Sequence, residues 1–118
     1  MNVCWVPRYA PYAASSRLRV YALHEALLRL GHNSQIGFSP SADVMVVQKS
    51  MDVEWVHIAA KFKGLSIYDL DDVEAYSMLQ AVVDGFDLIT VDTVVRRLAV
   101  LPHLHNKLYC EVVPDTID

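Results

Sequence analysis

The sequence has few of the features typical of a secreted protein. It holds only two cysteines, Cys4 and Cys110, among 118 residues, and both lie in apolar runs. A small secreted domain would carry several cysteines at disulfide spacing, so we expect two buried free thiols instead. The first residues, Met-Asn-Val-Cys-Trp, have neither the basic nor the long apolar segment of a signal peptide. We therefore expect a cytoplasmic protein.

Two further absences narrow the class of partner. Ten basic against 14 acidic side chains give a net charge of −4, whereas a nucleic-acid-binding surface normally shows a basic excess. No apolar run comes near the roughly 20 residues that a membrane-spanning helix needs. With 53% hydrophobic and 20% charged residues, the chain can form one domain with a proper core. We expect neither a nucleic-acid partner nor a membrane span.

Glycine is scarce, with four residues in the chain, and the glycine motifs of phosphate binding are missing. There is no Gly-x-Gly-x-x-Gly after the first apolar run and no Gly-x-x-x-x-Gly-Lys. The sequence therefore lacks the signatures of dinucleotide-binding and P-loop proteins. No Gly-x-Ser-x-Gly elbow is present either. His103 and His105 have the spacing of metal ligands but no third partner nearby in the sequence. We expect no metal site, and the pattern assigns no catalytic residue.

The sequence does contain a regular alternation of β-branched runs and helix-forming segments. It predicts six strands, near residues 2–6, 33–37, 44–48, 65–69, 87–91 and 108–113. Gly31, Gly64 and Gly85 each follow a predicted helix and precede a predicted strand. Residues 1–118 are therefore predicted to form a single α/β domain, with a mostly parallel sheet of about six strands and helices on both faces.

The segment between the second and third predicted strands is short. Residues 39–41 (Ser-Pro-Ser) cannot hold the helical crossover that joins neighbouring parallel strands. Two explanations stay open at this point. Either these strands are not simple neighbours in the sheet, or one of them is wrongly assigned.

The first predicted helix covers residues 17–30 and begins at an N-cap, Ser15 or Ser16. Apolar residues at helical spacing form the stripe predicted to face the sheet: Val20, Leu23, Leu27 and Leu30. A second apolar set falls on the opposite side: Leu18, Tyr21 and Leu28. Because an exposed apolar patch favours self-association, we expect a homo-oligomer.

Ligands of open parallel sheets collect at the carboxyl ends of the strands, near the point where the strand order reverses. The start of the first helix is predicted to lie there, and it supplies four polar residues: Ser15, Ser16, Arg17 and Arg19. A helix N-terminus flanked by arginines suits a phosphate or carboxylate ligand. The alternative is a capped helix with two solvated arginines.

A second polar segment follows the fourth predicted strand and holds three carboxylates: Asp69, Asp71 and Asp72. Such residues accept hydrogen bonds from sugar hydroxyls or bind a metal; alternatively, Asp71 or Asp72 caps the next helix. We expect the first and fourth strands to flank the reversal of strand order, so that both segments contribute to one ligand site. Asp92 and Thr93, after the fifth strand, fit a helix N-cap without further function.

Taken in order, several stretches resemble the N-terminal domain of B-type, two-domain glycosyltransferases. They are residues 14–20 (ASSRLRV), 30–32 (LGH), 42–49 (ADVMVVQK), 67–72 (IYDLDD), 87–93 (DLITVDT) and 112–118 (VVPDTID). Together they span nearly the whole chain, and their order and spacing carry the resemblance more than any one stretch does.

The resemblance implies a Rossmann-like domain that carries the acceptor side of a cleft between two domains. In such enzymes a second domain holds the nucleotide-sugar donor, and a catalytic metal is generally not needed. The resemblance further implies that this chain binds no cofactor itself, works with a separate donor-binding domain, and transfers no sugar alone, because it ends about where the family crosses to that domain. The alternative is a free-standing Rossmann-like module that binds a phosphate- or sugar-containing small molecule.

Overall fold

The computed structural model describes residues 1–9, 13–71, 73–104 and 109–114. These ranges hold six strands, β1 to β6: Asn2–Val6, Asn33–Ile36, Val44–Gln48, Leu65–Asp69, Leu88–Val91 and Tyr109–Val112. All of them lie parallel in one sheet with the order β2-β1-β3-β4-β5-β6. The predicted α/β, Rossmann-like sheet is confirmed. The observed strands agree with the predicted ones to within one residue, except that residue 108 lies outside the described ranges.

Helices connect most of the strands. The chain between β1 and β2 is helical in three consecutive parts: α1 (Ala14–Ser16), a π-helical segment (Arg17–Tyr21) and α2 (Ala22–Arg29). Three more α-helices follow β3, β4 and β5: α3 (Glu54–Lys61), α4 (Leu79–Gly85) and α5 (Val94–Val100). Short 3₁₀ helices precede α4 and follow α5, at Val73–Met78 and Leu101–His103.

Two properties of these helices bear on the sequence predictions. The Thr93 hydroxyl accepts a hydrogen bond from the Arg96 amide (3.1 Å), so a predicted N-cap is confirmed at the start of α5. Within the described ranges, none of the helices has the length and apolar character required to cross a bilayer.

Both faces of the sheet are covered, because alternate residues of each strand point to opposite sides. On one face, Val3, Trp5 and Val46 pack with Val20 of the π-helical segment. On the other face, strand residues pack with α3, α4 and α5 in a core that includes Cys4, Met45, Val47, Tyr68, Val56, Val82 and Val100. Cys4 and Cys110 are buried free thiols, as predicted.

β2 and β3 are not neighbours, since each pairs with β1 from opposite sides. The connection between them, residues 37–43, contains no helix and passes over β1, where the Ser39 carbonyl oxygen lies 3.8 Å from the Cys4 sulfur. This settles the open question about the short link. The strand order reverses between β1 and β3, so the expectation that the first and fourth strands flank the reversal is wrong.

The first helix departs from the predicted pattern at both ends. It begins at Ala14 without a side-chain cap, so the predicted N-cap at Ser15 or Ser16 is wrong. The π-helical segment has more residues per turn than an α-helix, which rotates the later side chains away from regular helical spacing. Tyr21 accordingly packs against the core, whereas Leu30, beyond the end of α2, is 74% exposed.

Candidate functional site

The carboxyl ends of β1, β3 and β4 lie side by side at the reversal of strand order, which is the place where open parallel sheets bind ligands. The described part of the chain has six buried polar or charged residues, and all except Ser66 lie at this edge: Ser16, Arg19, Gln48, Lys49 and Asp69. Asp71, with a buried carboxylate, adjoins them. We refer to these five residues and Asp71 as the edge cluster.

Gln48, the last residue of β3, connects the loop after β1 to the first helix. Its side-chain oxygen accepts hydrogen bonds from the Arg8 backbone amide (2.9 Å) and the Ser16 hydroxyl (2.8 Å). The Ser16 hydroxyl in turn accepts one from the Tyr9 amide (3.0 Å). Because a backbone amide can only donate, these bonds fix the position of the Gln48 oxygen. The Gln48 side-chain nitrogen is left as a buried donor without a partner among the residues that the structure describes.

Lys49, directly after β3, has a left-handed backbone conformation with φ of 33°, which is strained for a residue with a side chain. Its amide donates to the Asp69 carbonyl oxygen (2.7 Å), and its own carbonyl oxygen accepts from the Arg8 guanidinium (3.2 Å). Its ammonium lies 3.2 Å from the Asp71 carboxylate and 5.4 Å from the centre of the Tyr9 ring. The strained turn thus holds a buried cation at the ends of β3 and β4.

Arg19 and Asp69 occupy the centre of the edge cluster. The Arg19 Nε lies 2.7 Å from Asp69 Oδ2, and Nη2 lies 2.6 Å from Oδ1. The Thr90 hydroxyl donates to the same carboxylate (2.7 Å), and Arg19 Nη1 donates to the Val113 carbonyl oxygen (2.6 Å). This network joins the first helix to β4, β5 and the residue after β6. The alternative of a solvated arginine is wrong for Arg19, which is 4% exposed.

Asp71 lies between the two cations of the edge cluster. Its Oδ2 is 3.8 Å from Arg19 Nε, and its Oδ1 is 3.2 Å from Lys49 Nζ. Burial and, after it, the charge of Asp69 raise the pKa of the Asp71 carboxyl, while Lys49 and Arg19 oppose the rise. The neutral and charged forms of Asp71 are therefore closer in free energy than those of an exposed aspartate.

The structure brings four of the predicted ligand-binding residues into the edge cluster: Ser16, Arg19, Asp69 and Asp71. Ser15 and Arg17 lie in the same part of the helix, with Ser15 half-buried and Arg17 exposed, and Asp72 lies outside the described residues. Gln48 and Lys49 were not among the site residues predicted from the sequence. Their position could have indicated them, because they are polar residues at the end of an otherwise apolar, buried strand.

The edge cluster is polar, and most of its side chains are bonded to one another. Its buried charges balance in pairs, Arg19 with Asp69 and Lys49 with Asp71. In the part of the chain that the structure describes, no group of three or more His, Cys, Asp or Glu side chains is arranged to hold a metal ion. Amide, hydroxyl and cationic donors at one strand edge suit the oxygen atoms of a phosphate or a sugar.

Comparisons with known proteins find no match for the chain among protein-family models, curated proteins or solved structures. A function must therefore be inferred from the fold and from the residues at the sheet edge.

Proposed function

We propose that this chain is the acceptor-side domain of a nucleotide-sugar-dependent glycosyltransferase, and that its edge cluster borders the site of a sugar- or phosphate-containing acceptor. The observation that carries the proposal is the concentration of buried polar residues where the strand order reverses. Burying a polar group costs free energy unless it finds a partner. The Gln48 side-chain nitrogen has none among the described residues, which favours a site over a purely packing role. The six resembling stretches of sequence point to the same class of enzyme.

Under this proposal the residues divide into a supporting group and a contacting group. Arg19 and Asp69 are bound to each other, so they position the helix start rather than contact the ligand. Ser15 and Arg17 lie on the more accessible part of the same helical stretch and contact the ligand directly. The side-chain nitrogen of Gln48 supplies a further donor, which a water or a ligand oxygen would satisfy.

The nucleotide-sugar donor belongs to a second domain in this proposal. Closure of that domain over the edge cluster would bring donor and acceptor together and exclude water. The chain alone should therefore bind an acceptor fragment and transfer no sugar from any nucleotide-sugar. Measurable turnover by the purified chain would contradict the assignment of donor binding to a second domain.

A titration followed by amide NMR tests the acceptor site, with inorganic phosphate and glucose 1-phosphate as probes. We expect both probes to shift the amides of residues 15–19 and 48–50. Arg17→Ala should weaken binding about tenfold, the effect of one charge-assisted hydrogen bond. Arg29→Ala removes an exposed arginine at the far end of the same helical stretch and is the matched control. Unchanged affinity of Arg17→Ala for both probes would rule out a ligand at the helix start.

A free-standing binding module is the second candidate. The pairing of the four buried charges within the edge cluster favours it, since a site built only to hold a ligand needs no free acid or base. Purification from the native host distinguishes the two. A co-purifying polypeptide that binds a nucleotide-sugar and restores transfer supports the glycosyltransferase, whereas binding of the probes without such a partner supports the module.

A further inference from the structure

A second concave site lies at the opposite end of the sheet from the edge cluster. It is a groove of about 610 Å³ between the β2–β3 connection and the end of α3, lined by Phe38, Pro40, Ile58, Lys61, Phe62 and Lys63. Most of these residues lie in the last few positions before β3 or β4, so the groove adjoins the amino ends of these strands. Its volume falls within the range of about 300–1,000 Å³ that is usual for small-molecule sites.

The walls of the groove are apolar and held by aromatic contacts. The Phe38 ring packs edge-on against Trp55 of α3, with 5.7 Å between ring centres, and 6.4 Å from the Phe62 ring. The segment after α3 is fixed at Gly64, where an added Cβ would overlap the Asp43 carbonyl oxygen. The groove is therefore formed by well-packed backbone on both sides, and Phe38 keeps 39% of its surface exposed.

The rim of the groove is cationic. Lys61 and Lys63 are two of the four lysines in a chain of net charge −4, and both are exposed. Neither has an acidic partner among the residues that the structure describes. An aromatic groove bordered by two such cations is complementary to a molecule with an apolar body and an anionic head.

We infer that this groove binds a small amphiphilic anion, a single apolar chain or ring system with one carboxylate or sulfonate group. The apolar part lies against Phe38, Ile58 and Phe62, and the anionic group lies at the two lysines. The concave shape and the volume of about 610 Å³ fit a single small molecule rather than a membrane surface. The site is separate from the edge cluster and does not depend on the proposed transferase function.

The test uses the whole chain and dodecanoate below its micelle concentration, with dodecyltrimethylammonium as the probe of equal chain length and opposite charge. Calorimetry should give binding of dodecanoate at least about tenfold tighter than that of the cation. Amide NMR should show shifts at residues 38–41 and 58–63 and none at residues 15–19. Equal affinity for the two probes, or shifts confined to the edge cluster, would overturn the inference.

Two variants of the rim and one control sharpen the result. Lys61→Gln and Lys63→Gln should each weaken dodecanoate binding about fourfold, as expected for loss of one solvent-exposed charge near an anion, and should leave the melting temperature unchanged. Arg29→Gln removes a charge from another exposed helix end and should have no effect on binding. Full affinity in the double lysine variant would overturn the inference. Sedimentation with anionic phosphatidylglycerol vesicles in the absence of dodecanoate binding would do so too, in favour of a membrane surface.

Discussion

The guanidinium of Arg19 and the carboxylate of Asp69 form a two-pronged ion pair inside the protein, although 50 residues separate them along the chain. Both side chains are almost fully buried. If either residue were removed, the buried charge of the other would lose its main partner, and such a state is costly. The position of the first helix therefore depends on the end of β4.

Removal of one partner of this pair should be strongly destabilising. We expect Asp69→Ala to lower the free energy of unfolding by about 3–5 kcal/mol, because it leaves the buried guanidinium of Arg19 without its two-pronged carboxylate partner. Urea denaturation measures the change. The double variant Arg19→Met with Asp69→Leu should regain most of the loss, since it replaces both charges by apolar groups.

The ion pair of Arg96 with Asp92 provides the matched control. It has the same residue types, with Nε 2.6 Å from Oδ1, but its side chains are 22% and 18% exposed. Asp92→Ala should therefore cost less than Asp69→Ala, because this pair keeps more contact with water. Equal losses for Asp92→Ala and Asp69→Ala would show that the deeper burial of the Arg19–Asp69 pair does not raise the cost of breaking it.

Two adjacent serines of the first helix should differ in their effect on stability. Ser16→Ala removes a donor to Gln48 and the acceptor of the Tyr9 amide, so we expect a loss of about 1–3 kcal/mol in the free energy of unfolding. Ser15 has no side-chain hydrogen bond within the described ranges, and Ser15→Ala should stay within about 0.5 kcal/mol of the parent. Thermal melting compares the two, and equal effects would argue against a structural role for the Ser16 hydroxyl.

Most of the sheet could be predicted from the sequence because several of its strands are compact runs of apolar, largely β-branched residues. β3 is the clearest case, with four of its five residues buried. The π-helical segment could not be predicted, since residues 17–21 have ordinary helix-forming character. Two buried polar contacts adjoin it, Ser16 with Gln48 and Arg19 with Asp69. Their partners are distant in the sequence, so the local sequence of the helix does not reveal them.

For the candidate site, the sequence predicted the edge of the sheet but not the roles of the residues there. Parallel topology alone places Asp69 and the helix start at the same edge. Arg17 and Arg19 are identical in type and two positions apart, so they point in different directions around the helix. Only the packing of the helix on β4 determines which of them is buried. Lys49 was missed because its left-handed backbone follows from contacts across the sheet, with Asp69 and Arg8.

Self-association remains a prediction, but the exposed apolar residues that would support it lie mainly on α5 and not on the first helix. Tyr21 packs against the core, whereas three apolar side chains of α5 are exposed by more than half: Val94, Val95 and Leu98. We expect light scattering to show a dimer whose population grows with concentration. Leu98→Asp should weaken it, and Leu28→Asp on α2 should not. A monomer at the highest concentration attainable would contradict self-association altogether.

Gly64 and Gly31 should respond differently to an added methyl group. At Gly64 the methyl would overlap the backbone oxygen of Asp43, so Gly64→Ala should cost about 2 kcal/mol or more. Gly31 has a φ of 86° but open space around it, so Gly31→Ala should cost only the backbone strain, about 1 kcal/mol. Gly31→Asn should cost less still, because asparagine tolerates this conformation. Equal losses at the two positions, measured by urea denaturation, would disprove the close approach.

The raised pKa of Asp71 makes a specific prediction about pH. Its carboxyl binds a proton more tightly in the folded protein than at the ordinary pKa of 3.8. Between pH 3.8 and the raised pKa, the folded state therefore holds more protons than the unfolded state, and stability falls as the pH rises. Above the raised pKa the contribution is constant. Asp71→Asn lacks this titration, so its free energy of unfolding relative to the parent should increase across that window and then level off.

Unfolding in urea at a series of pH values measures this difference, and ¹³C NMR of the Asp71 carboxyl in the parent protein gives the upper end of the window. Asp71→Asn also loses the ion pair with Lys49. Above the window this loss lowers the stability of the variant by the same amount at every pH, so the difference from the parent still rises across the window and then levels off. Asp84→Asn removes an exposed carboxylate of α4 and is the control for the loss of one acidic side chain. A difference between Asp71→Asn and the parent that falls as the pH rises would mean that the carboxylate is stabilised by Lys49 and Arg19 more than burial and Asp69 oppose it.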